Sequence, residues 1–305
     1  MSRQRGAALL VALLVVALSV LLVAGLLDQG ERQRARLGDA LRAEQGWQLA
    51  AGLEAWAADA LAGGGALAID TLDDPWLQPM PPIDVPGGRL GGRLHDLGGC
   101  FDLNRLAPGG VADLEAVAAF QRVLTGLGLD PQIAVEAADW VDADLEPLPG
   151  GAEDAAYAGA RPPHRTANRP MAHASELRSL RRVDQAAWSQ LREVVCALPE
   201  PHPVNLNTAA PVVWLALDPR IDTATAQRLA RGPGRAFGSR EALIQALQRE
   251  GLDDVRLEGF GLSTRYFVAD AEIESDGVRY RFSSLLDNDR AGGEVRVHAR
   301  VRGGW

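Results

Sequence analysis

The feature that most constrains this chain is an uncharged apolar run near its N-terminus, from Ala7 to Leu27. A helix over these residues is about 30 Å long, which matches the hydrocarbon core of a bilayer. Secretory signals have a shorter apolar region, of about 7–15 residues, before a small-residue cleavage site. Here Asp28 and Gln29 follow the run instead. The sequence therefore predicts a retained transmembrane helix over residues 7–27 and a water-soluble remainder.

Charges around the apolar run give a mixed signal for its orientation. Arg3 and Arg5 precede the run and favour a cytoplasmic N-terminus, because short cytoplasmic segments are enriched in basic residues. Arg32, Arg34 and Arg36 follow it closely and favour the opposite orientation. Charge alone therefore leaves the orientation open.

Residues 28–62 continue the helical pattern beyond the membrane segment. The stretch from Glu31 to Ala62 contains no proline and is rich in Ala, Leu, Arg, Glu and Gln, which are good helix formers. The three glycines at 63–65 are expected to end it. We predict one long helix from the membrane into the soluble domain; a hinge near Gly30 with a separate amphipathic helix is the alternative.

Composition narrows the possible functions of the soluble part. The 305 residues suffice for an anchor and one or two domains, and the net charge of -9 argues against a nucleic-acid binder. The two cysteines, Cys100 and Cys196, form no CxxC or Cys/His cluster, which disfavours a zinc or redox site. They can form a disulfide in an oxidising compartment or remain separate buried thiols.

Periodicity in the soluble part predicts an α+β fold with a helical block in its middle. Residues 63–92 indicate irregular structure with at most one short strand, residues 94–106 hold a strand, and residues 63–106 form a small β region. Helical spacing dominates the inserted domain at 107–255, where Asn207 and Thr208 are expected to cap a helix. The predicted helices cover residues 111–127, 130–141, 175–180, 184–195, 211–217, 223–230 and 239–247.

The apolar period changes to two near the C-terminus, where alternation is typical of strands. Residues 266–274, 278–286 and 295–301 are predicted as three strands of an antiparallel β-meander within residues 256–305. The predicted chain order is a long helix, a small β region, a helical domain and a C-terminal sheet.

Several segments resemble one known family. The start, RQRGAALLVALLVVALSV, resembles a type IV prepilin leader followed by its apolar helix. The segments FDLNRL, DWVDAD, GAEDAAY, HRTANRPMAHASEL and VNLNTA then resemble, in this order, the minor pseudopilin K family of type II secretion systems. Together they span most of the chain.

The resemblance implies a pilin-like fold with a large helical insertion. It implies a leader at residues 1–6, cut after Gly6 by a prepilin peptidase, and methylation of Ala7. It implies a single-pass inner-membrane protein whose C-terminal domain lies in the periplasm. Such a protein is no enzyme; it sits at the pseudopilus tip with minor pseudopilins I and J and assists export across the outer membrane.

One position distinguishes this chain from most pilins, which carry Glu at the fifth mature position. Val11 stands there, and the K-type pseudopilins typically lack that Glu as well. A carboxylate inside a membrane helix is costly unless it is paired. Val11 is therefore typical of a subunit that caps a filament.

An acidic cluster follows the second predicted helix of the block. Carboxylates at short spacing suit Ca²⁺, which takes about 6–8 oxygen ligands in flexible geometry. The segment lacks EF-hand spacing, and a solvated acidic loop is the alternative; the resemblance favours calcium. The predicted ligands are Asp142, Asp144, Glu153 and Asp154, with Asp139 and Asn168 as further candidates.

Two rival functions have weaker support in the sequence. Residues 204–230, followed by FGSREAL, resemble tandem helix-hairpin-helix units of membrane-tethered DNA-binding proteins, and several arginines there could meet phosphates. The hairpin turn has no glycine and carries Asp218 and Asp222, and the whole chain is acidic. An enzyme is disfavoured because the chain has no GxSxG elbow, P-loop or GxGxxG motif.

Overall fold

The computed structural model describes residues 4–62, 69–86, 88–275, 277–290 and 292–305. One helix, α1, runs from Gln4 to Leu61 and passes through Gly30 without interruption, so the predicted single long helix is confirmed. Its segment Leu9–Gly38 is long and apolar enough to cross a membrane, and no residue in the most apolar part of this segment is buried in the protein. The predicted cut between Gly6 and Ala7 falls in the first turns of α1. Residues 1–3 and the glycines expected to end the helix lie outside the described residues.

Five antiparallel strands form the main sheet, in the spatial order β1-β2-β7-β8-β9. These strands are β1 (Met80–Val85), β2 (Gly88–Asp96), β7 (Tyr266–Ser275), β8 (Val278–Asp289) and β9 (Glu294–Arg302). The predicted C-terminal meander is confirmed as β7-β8-β9.

The pairing of β1 with β2 corrects one prediction. At most one short strand was expected over residues 63–92, because glycines and prolines there are typical of turns. Instead Gly91 and Gly92 lie inside β2, where Glu272 and Ala271 of β7 pair with them. A side chain at position 92 would come within 2.4 Å of a Leu53 methyl, so the glycine lets α1 approach the sheet.

The C-terminal part of α1 packs on one face of this sheet. Ala50, Leu53, Ala57 and Leu61 are at most 3% exposed and contact apolar side chains of β2, β7 and β8. This packing supplies the hydrophobic core of the pilin-like half of the molecule.

The helical region is inserted between β2 and β7. It contains six α-helices within the described residues and several single turns of 3₁₀-helix. The α-helices are α2 (Leu114–Gly126), α3 (Gln132–Val141), α4 (Asp154–Tyr157), α5 (Gln185–Leu191), α6 (Thr223–Leu229) and α7 (Arg240–Arg249). Two short parallel strand pairs complete it, namely β3 (Phe101–Asp102) with β4 (Val195–Cys196) and β5 (Val204–Asn205) with β6 (Phe260–Gly261).

Several predicted helix boundaries differ from the structure for local reasons. The first helix begins at Leu114 and not at residue 111, because Asp113 accepts hydrogen bonds from the amides of Glu115 and Ala116. The helix predicted to reach residue 195 ends at Leu191, and Val195 pairs with Phe101 instead. The segments predicted at 175–180 and 211–217 are 3₁₀ turns.

The predicted capping role of Asn207 and Thr208 is wrong. The following turn starts after Ala210, which makes no side-chain cap. Asn207 is buried and exchanges two hydrogen bonds with the backbone of Phe237, which lie at 2.8 and 3.1 Å. Its amide group therefore ties two distant parts of the helical region together.

The buried core of the helical region includes residues from Phe101 to Leu262. The inserted domain was predicted at residues 107–255, and these domain boundaries stay a prediction. Between this core and the sheet lies a smaller cluster that includes Cys196 and Tyr266. The structure joins Cys196 to Cys100 by a disulfide, with their Cα atoms 5.8 Å apart.

Candidate metal centre

Three acidic side chains converge where α3 ends. Asp142 follows the last residue of α3 in an extended conformation, with φ -71° and ψ 171°, so the chain turns away from the helix axis there. Asp144 lies two residues further on, and Glu153 directly precedes α4. One carboxylate oxygen from each of these three residues lies within 4.8 Å of the others.

Asp139 folds the loop that connects them. Its side chain is fully buried on α3 and accepts hydrogen bonds from the amides of Leu148, at 3.1 Å, and Ala152, at 2.6 Å. Asp139 was a further candidate ligand, but both of its oxygens bind the loop backbone. Gly151 lies directly against this carboxylate, and a side chain there would collide with it. Asp139 therefore positions the metal candidates.

Three buried oxygens around the cluster have no hydrogen-bond partner among the described residues. They belong to Asp142 (Oδ1), Glu153 (Oε1) and Asn168 (Oδ1). Buried polar atoms in native proteins are nearly always paired, so three unpaired acceptors close in the fold need a donor or a cation. Hard oxygen atoms without protons are the ligands that Ca²⁺ prefers, and the residues present fit that ion.

Asn168 joins the centre from a distant part of the chain. Its backbone has a positive φ of 47°, which Asn tolerates better than most residues. Its amide N–H donates to Trp140 at the end of α3 (3.0 Å), and its side-chain amide donates to the carbonyl of Asp144 (2.5 Å). The unpaired side-chain oxygen of Asn168 is thereby fixed beside the loop.

Asp154 does not belong to the converging group, although it was predicted with the other three. Its Oδ1 accepts from the amide of Thr166 at 3.1 Å and lies 3.0 Å from the Thr166 hydroxyl. That hydroxyl is also 2.7 Å from Glu153 Oε2. Asp154 and Thr166 therefore position Glu153. Sequence reasoning missed Thr166, and a hydroxyl twelve residues from Asp154 and thirteen from Glu153 carries no spacing signal.

The electrostatics of the cluster favour a bound cation. Burial raises the pKa of Asp142 to about 7, and the charges of Asp144, Asp139 and Glu153 act in the same direction. Burial likewise raises the pKa of Glu153, against a lowering effect of the Thr166 hydrogen bond. The three carboxylates therefore repel one another when no cation lies between them.

In the segment that resembles helix-hairpin-helix units, at residues 204–230, two arginines form ion pairs with carboxylates of this chain. Arg220 lies 2.9 Å from Asp218 and 2.7 Å from Asp254, while Arg228 lies 2.6 Å from Glu250. Two of the arginines that could have met phosphates are thus held by carboxylates.

A long N-terminal helix, whose C-terminal part packs on an antiparallel sheet and whose first part is long and apolar enough to cross a membrane, together with a helical region inserted between β2 and β7, defines a pilin-like protein. Residues 99–200 match the family described as type II secretion system (T2SS), protein K. Over 98% of its length the chain is 33% identical to type II secretion system protein K of Pseudomonas aeruginosa, of which it covers 93%. It is 32% identical to the protein K of Klebsiella pneumoniae, over 93% of this chain and 92% of that protein. The chain belongs to the type II secretion system protein K family and is a minor pseudopilin of that system.

The fold also matches a solved structure. The crystal structure of the GspK-GspI-GspJ complex from the enterotoxigenic Escherichia coli type 2 secretion system contains a chain that superposes with a TM-score of 0.75. The match covers 88% of this chain and all of that one, at 24% sequence identity. The predicted pilin-like α+β architecture is therefore confirmed.

Proposed function

We propose that this minor pseudopilin caps the tip of the pseudopilus, together with minor pseudopilins I and J, and assists protein export across the outer membrane without catalysing a reaction. The exposed surface of α1 carries the proposal. Beyond the apolar run, Leu37 and Leu41 are 62% and 58% exposed on this helix. An apolar helix face outside lipid needs a covering partner. The solved relative forms a complex with partners of this kind, GspI and GspJ.

Val11 supports the tip position. It occupies the fifth place after the predicted cut and is 60% exposed on α1. In a repeating pilin, a Glu at this place is thought to pair with the N-terminal amine of a neighbouring subunit. A subunit with Val11 lacks that carboxylate, and a tip subunit has no further neighbour that needs it.

Co-purification of full-length chains tests the assembly. We expect tagged chain to retain the I and J subunits of the same system in detergent, and Leu41→Arg to weaken that retention. Val278→Arg alters an exposed residue of the sheet, 44% exposed, and serves as the matched control. Three proteins that elute independently at high concentration would contradict the proposal.

The same proposal includes processing and orientation. A prepilin peptidase cuts after Gly6, Ala7 becomes the methylated N-terminus, and the soluble part lies in the periplasm. Cleavage at this place removes the basic leader and leaves the apolar helix attached, so α1 first anchors the subunit in the inner membrane and then packs in the filament. Mass spectrometry of the cellular protein should find methylated Ala7; an intact Met1 beside an active peptidase would contradict it.

We further propose that the acidic cluster is a calcium centre. Asp142, Asp144 and Glu153 would hold the ion, with the side-chain oxygen of Asn168 as a further ligand. Bound calcium would neutralise the repelling carboxylates and fix the loop between α3 and α4. Isothermal titration of the full chain with Ca²⁺ tests this, with Asp142→Asn as the disabled variant and Asp73→Asn as a control on an exposed loop. Equal heats of calcium binding in wild type and Asp142→Asn would contradict the proposed calcium centre.

A further inference from the structure

The exposed apolar residues of the helical region concentrate at one corner. Among described residues outside α1, the three most exposed large apolar side chains are Val111, Leu114 and Leu145, at 72%, 67% and 66%. The next most exposed are on the sheet, for example Ile83 at 45% and Val278 at 44%. Soluble proteins rarely cluster such side chains without a binding partner.

The backbone brings the two segments that carry these side chains together. The amide of Ala143 donates to the carbonyl of Gly110, with a donor–acceptor distance of 2.9 Å. The Ala143 methyl lies 2.8 Å from the position that a side chain at Gly110 would take, so the two segments are in close contact. Val111 follows Gly110 directly, and Leu145 comes two residues after Ala143. Leu114 then begins α2. We call this surface the 111/114/145 patch.

A hollow lies beside Leu145. Its volume is about 340 Å³, and its wall combines small apolar residues with the loop of the acidic cluster. This space is large enough to hold an apolar side chain. The hollow is lined on one side by Leu145 and Pro147 and on the other by Ala152, Glu153 and Ala156.

The rim of the patch is acidic. Asp113, Glu115 and Glu146 flank its three apolar residues in sequence, beside the proposed calcium ligand Asp144. Within the described part of the chain, none of the carboxylates of Asp113, Glu115 and Glu146 forms a salt bridge. A partner that covers the patch therefore needs basic groups beside its apolar ones, because like charges around a binding surface are unfavourable.

We propose that the 111/114/145 patch is a docking surface for a protein segment whose apolar side chains are flanked by Lys or Arg, and that the acidic centre holds this surface in shape when calcium is bound. The second half rests on the calcium centre proposed above. Ala143, which contacts Gly110, lies between Asp142 and Asp144. Mutual repulsion of the carboxylates loosens this loop, whereas a bound cation fixes it and with it the position of Leu145.

Peptide binding to the full chain in nanodiscs of neutral phosphatidylcholine tests the inference. The probe is a fluorescent synthetic peptide of leucines flanked by lysine pairs; a second peptide has glutamates in place of the lysines. In calcium, we expect the lysine peptide to bind and the glutamate peptide to fail. Val111→Ser/Leu145→Ser should weaken binding about tenfold, which is typical for loss of interface anchors. Ile83→Ser, on the sheet, should leave it unchanged.

Each outcome of this experiment tests a separate part of the proposal. Equal affinity of the double variant and of Ile83→Ser would overturn the docking surface, and equal binding of both peptides would overturn its charge preference. Calcium binding is titrated on the same samples. If the chain binds calcium but EGTA leaves peptide affinity unchanged, the control by metal is wrong. If the chain binds no calcium, the proposed calcium centre is wrong. The comparison of Val111→Ser/Leu145→Ser with Ile83→Ser still tests the docking surface in that case.

Discussion

At the scale of single residues, Asp142 connects folding with protonation and, in the proposed calcium centre, with metal binding. Its pKa rises from an ordinary 3.8 to about 7, chiefly because it is buried and secondly because Asp144, Asp139 and Glu153 are near. Between these pH values the folded chain holds a proton that the unfolded chain has released. Stability therefore decreases as the pH rises through this window, and the same proton competes with a cation.

The first prediction concerns the pH dependence of stability. Without calcium, the melting temperature should fall between about pH 4 and pH 7, and Asp142→Asn should remove part of this fall because it has no proton to lose. With calcium at about 100 times its dissociation constant, the gain is about 2.7 kcal/mol, or roughly 5–10 °C, and should be larger at pH 8 than at pH 5.5. Differential scanning calorimetry in EGTA and in calcium measures both. A calcium effect that is larger at pH 5.5 would contradict the role of Asp142.

At the scale of elements, a buried ion pair joins α1 to the outermost strand of the sheet. Glu54 of α1 is 7% exposed and accepts two hydrogen bonds from Arg300 of β9, one of them at 2.6 Å. The hydroxyl of Ser284 on β8 lies 2.5 Å from the same carboxylate. The guanidinium group of Arg300 also lies 4.7 Å from the centre of the Trp47 ring. The pair therefore fixes how the helix lies across the sheet.

The second prediction follows from this pair. Arg300→Met leaves the Glu54 carboxylate buried without its cation, which should cost about 3 kcal/mol of unfolding free energy. Arg279→Met removes an exposed partner, 87% exposed and 3.8 Å from Glu274, and should cost less than about 1 kcal/mol. Urea unfolding of both variants measures the difference. Adding Glu54→Gln to Arg300→Met should restore part of the loss, and equal losses in the two single variants would contradict a role for burial.

The elements also show what local sequence could and could not predict. The helices α2 and α3 were predicted because their apolar residues recur at helical spacing. The pairing of β1 with β2 was missed, since Gly91 and Gly92 signal turns unless a distant strand supplies hydrogen bonds. Within the candidate site, Asp142, Asp144 and Glu153 come from one acidic stretch. Asn168, a further candidate in the sequence analysis, and Thr166, which was missed, reach it through tertiary packing, which leaves no spacing pattern in the sequence.

At the scale of the whole molecule, the disulfide connects the beginning of the helical region with a strand near its middle. Cys100 and Cys196 are 96 residues apart and lie beside the cluster that includes Tyr266 and Val268 of β7. A link that closes so long a loop restricts the unfolded chain strongly. An oxidising compartment, such as the periplasm proposed above, allows it to form.

The third prediction is that Cys100→Ser/Cys196→Ser lowers the unfolding free energy by roughly 2–5 kcal/mol, the usual range for removing a native disulfide from a small secreted domain. Thermal unfolding of the double variant and of wild type measures it. Wild type treated with dithiothreitol should show the same loss, and dithiothreitol should leave the double variant unchanged. An unaltered melting temperature in the double variant would mean that the link adds nothing to stability.

The chain leaves the sheet and returns to it at neighbouring points. Asp96, the last residue of β2, is paired with Phe267 of β7, and the amide of Leu97 donates to the carbonyl of Tyr266 at 3.0 Å. An insertion whose two ends lie one strand spacing apart places few demands on its host, and such sites tolerate large changes in length. Selection can therefore enlarge, reshape or reduce the helical region while α1 and the main sheet keep their geometry.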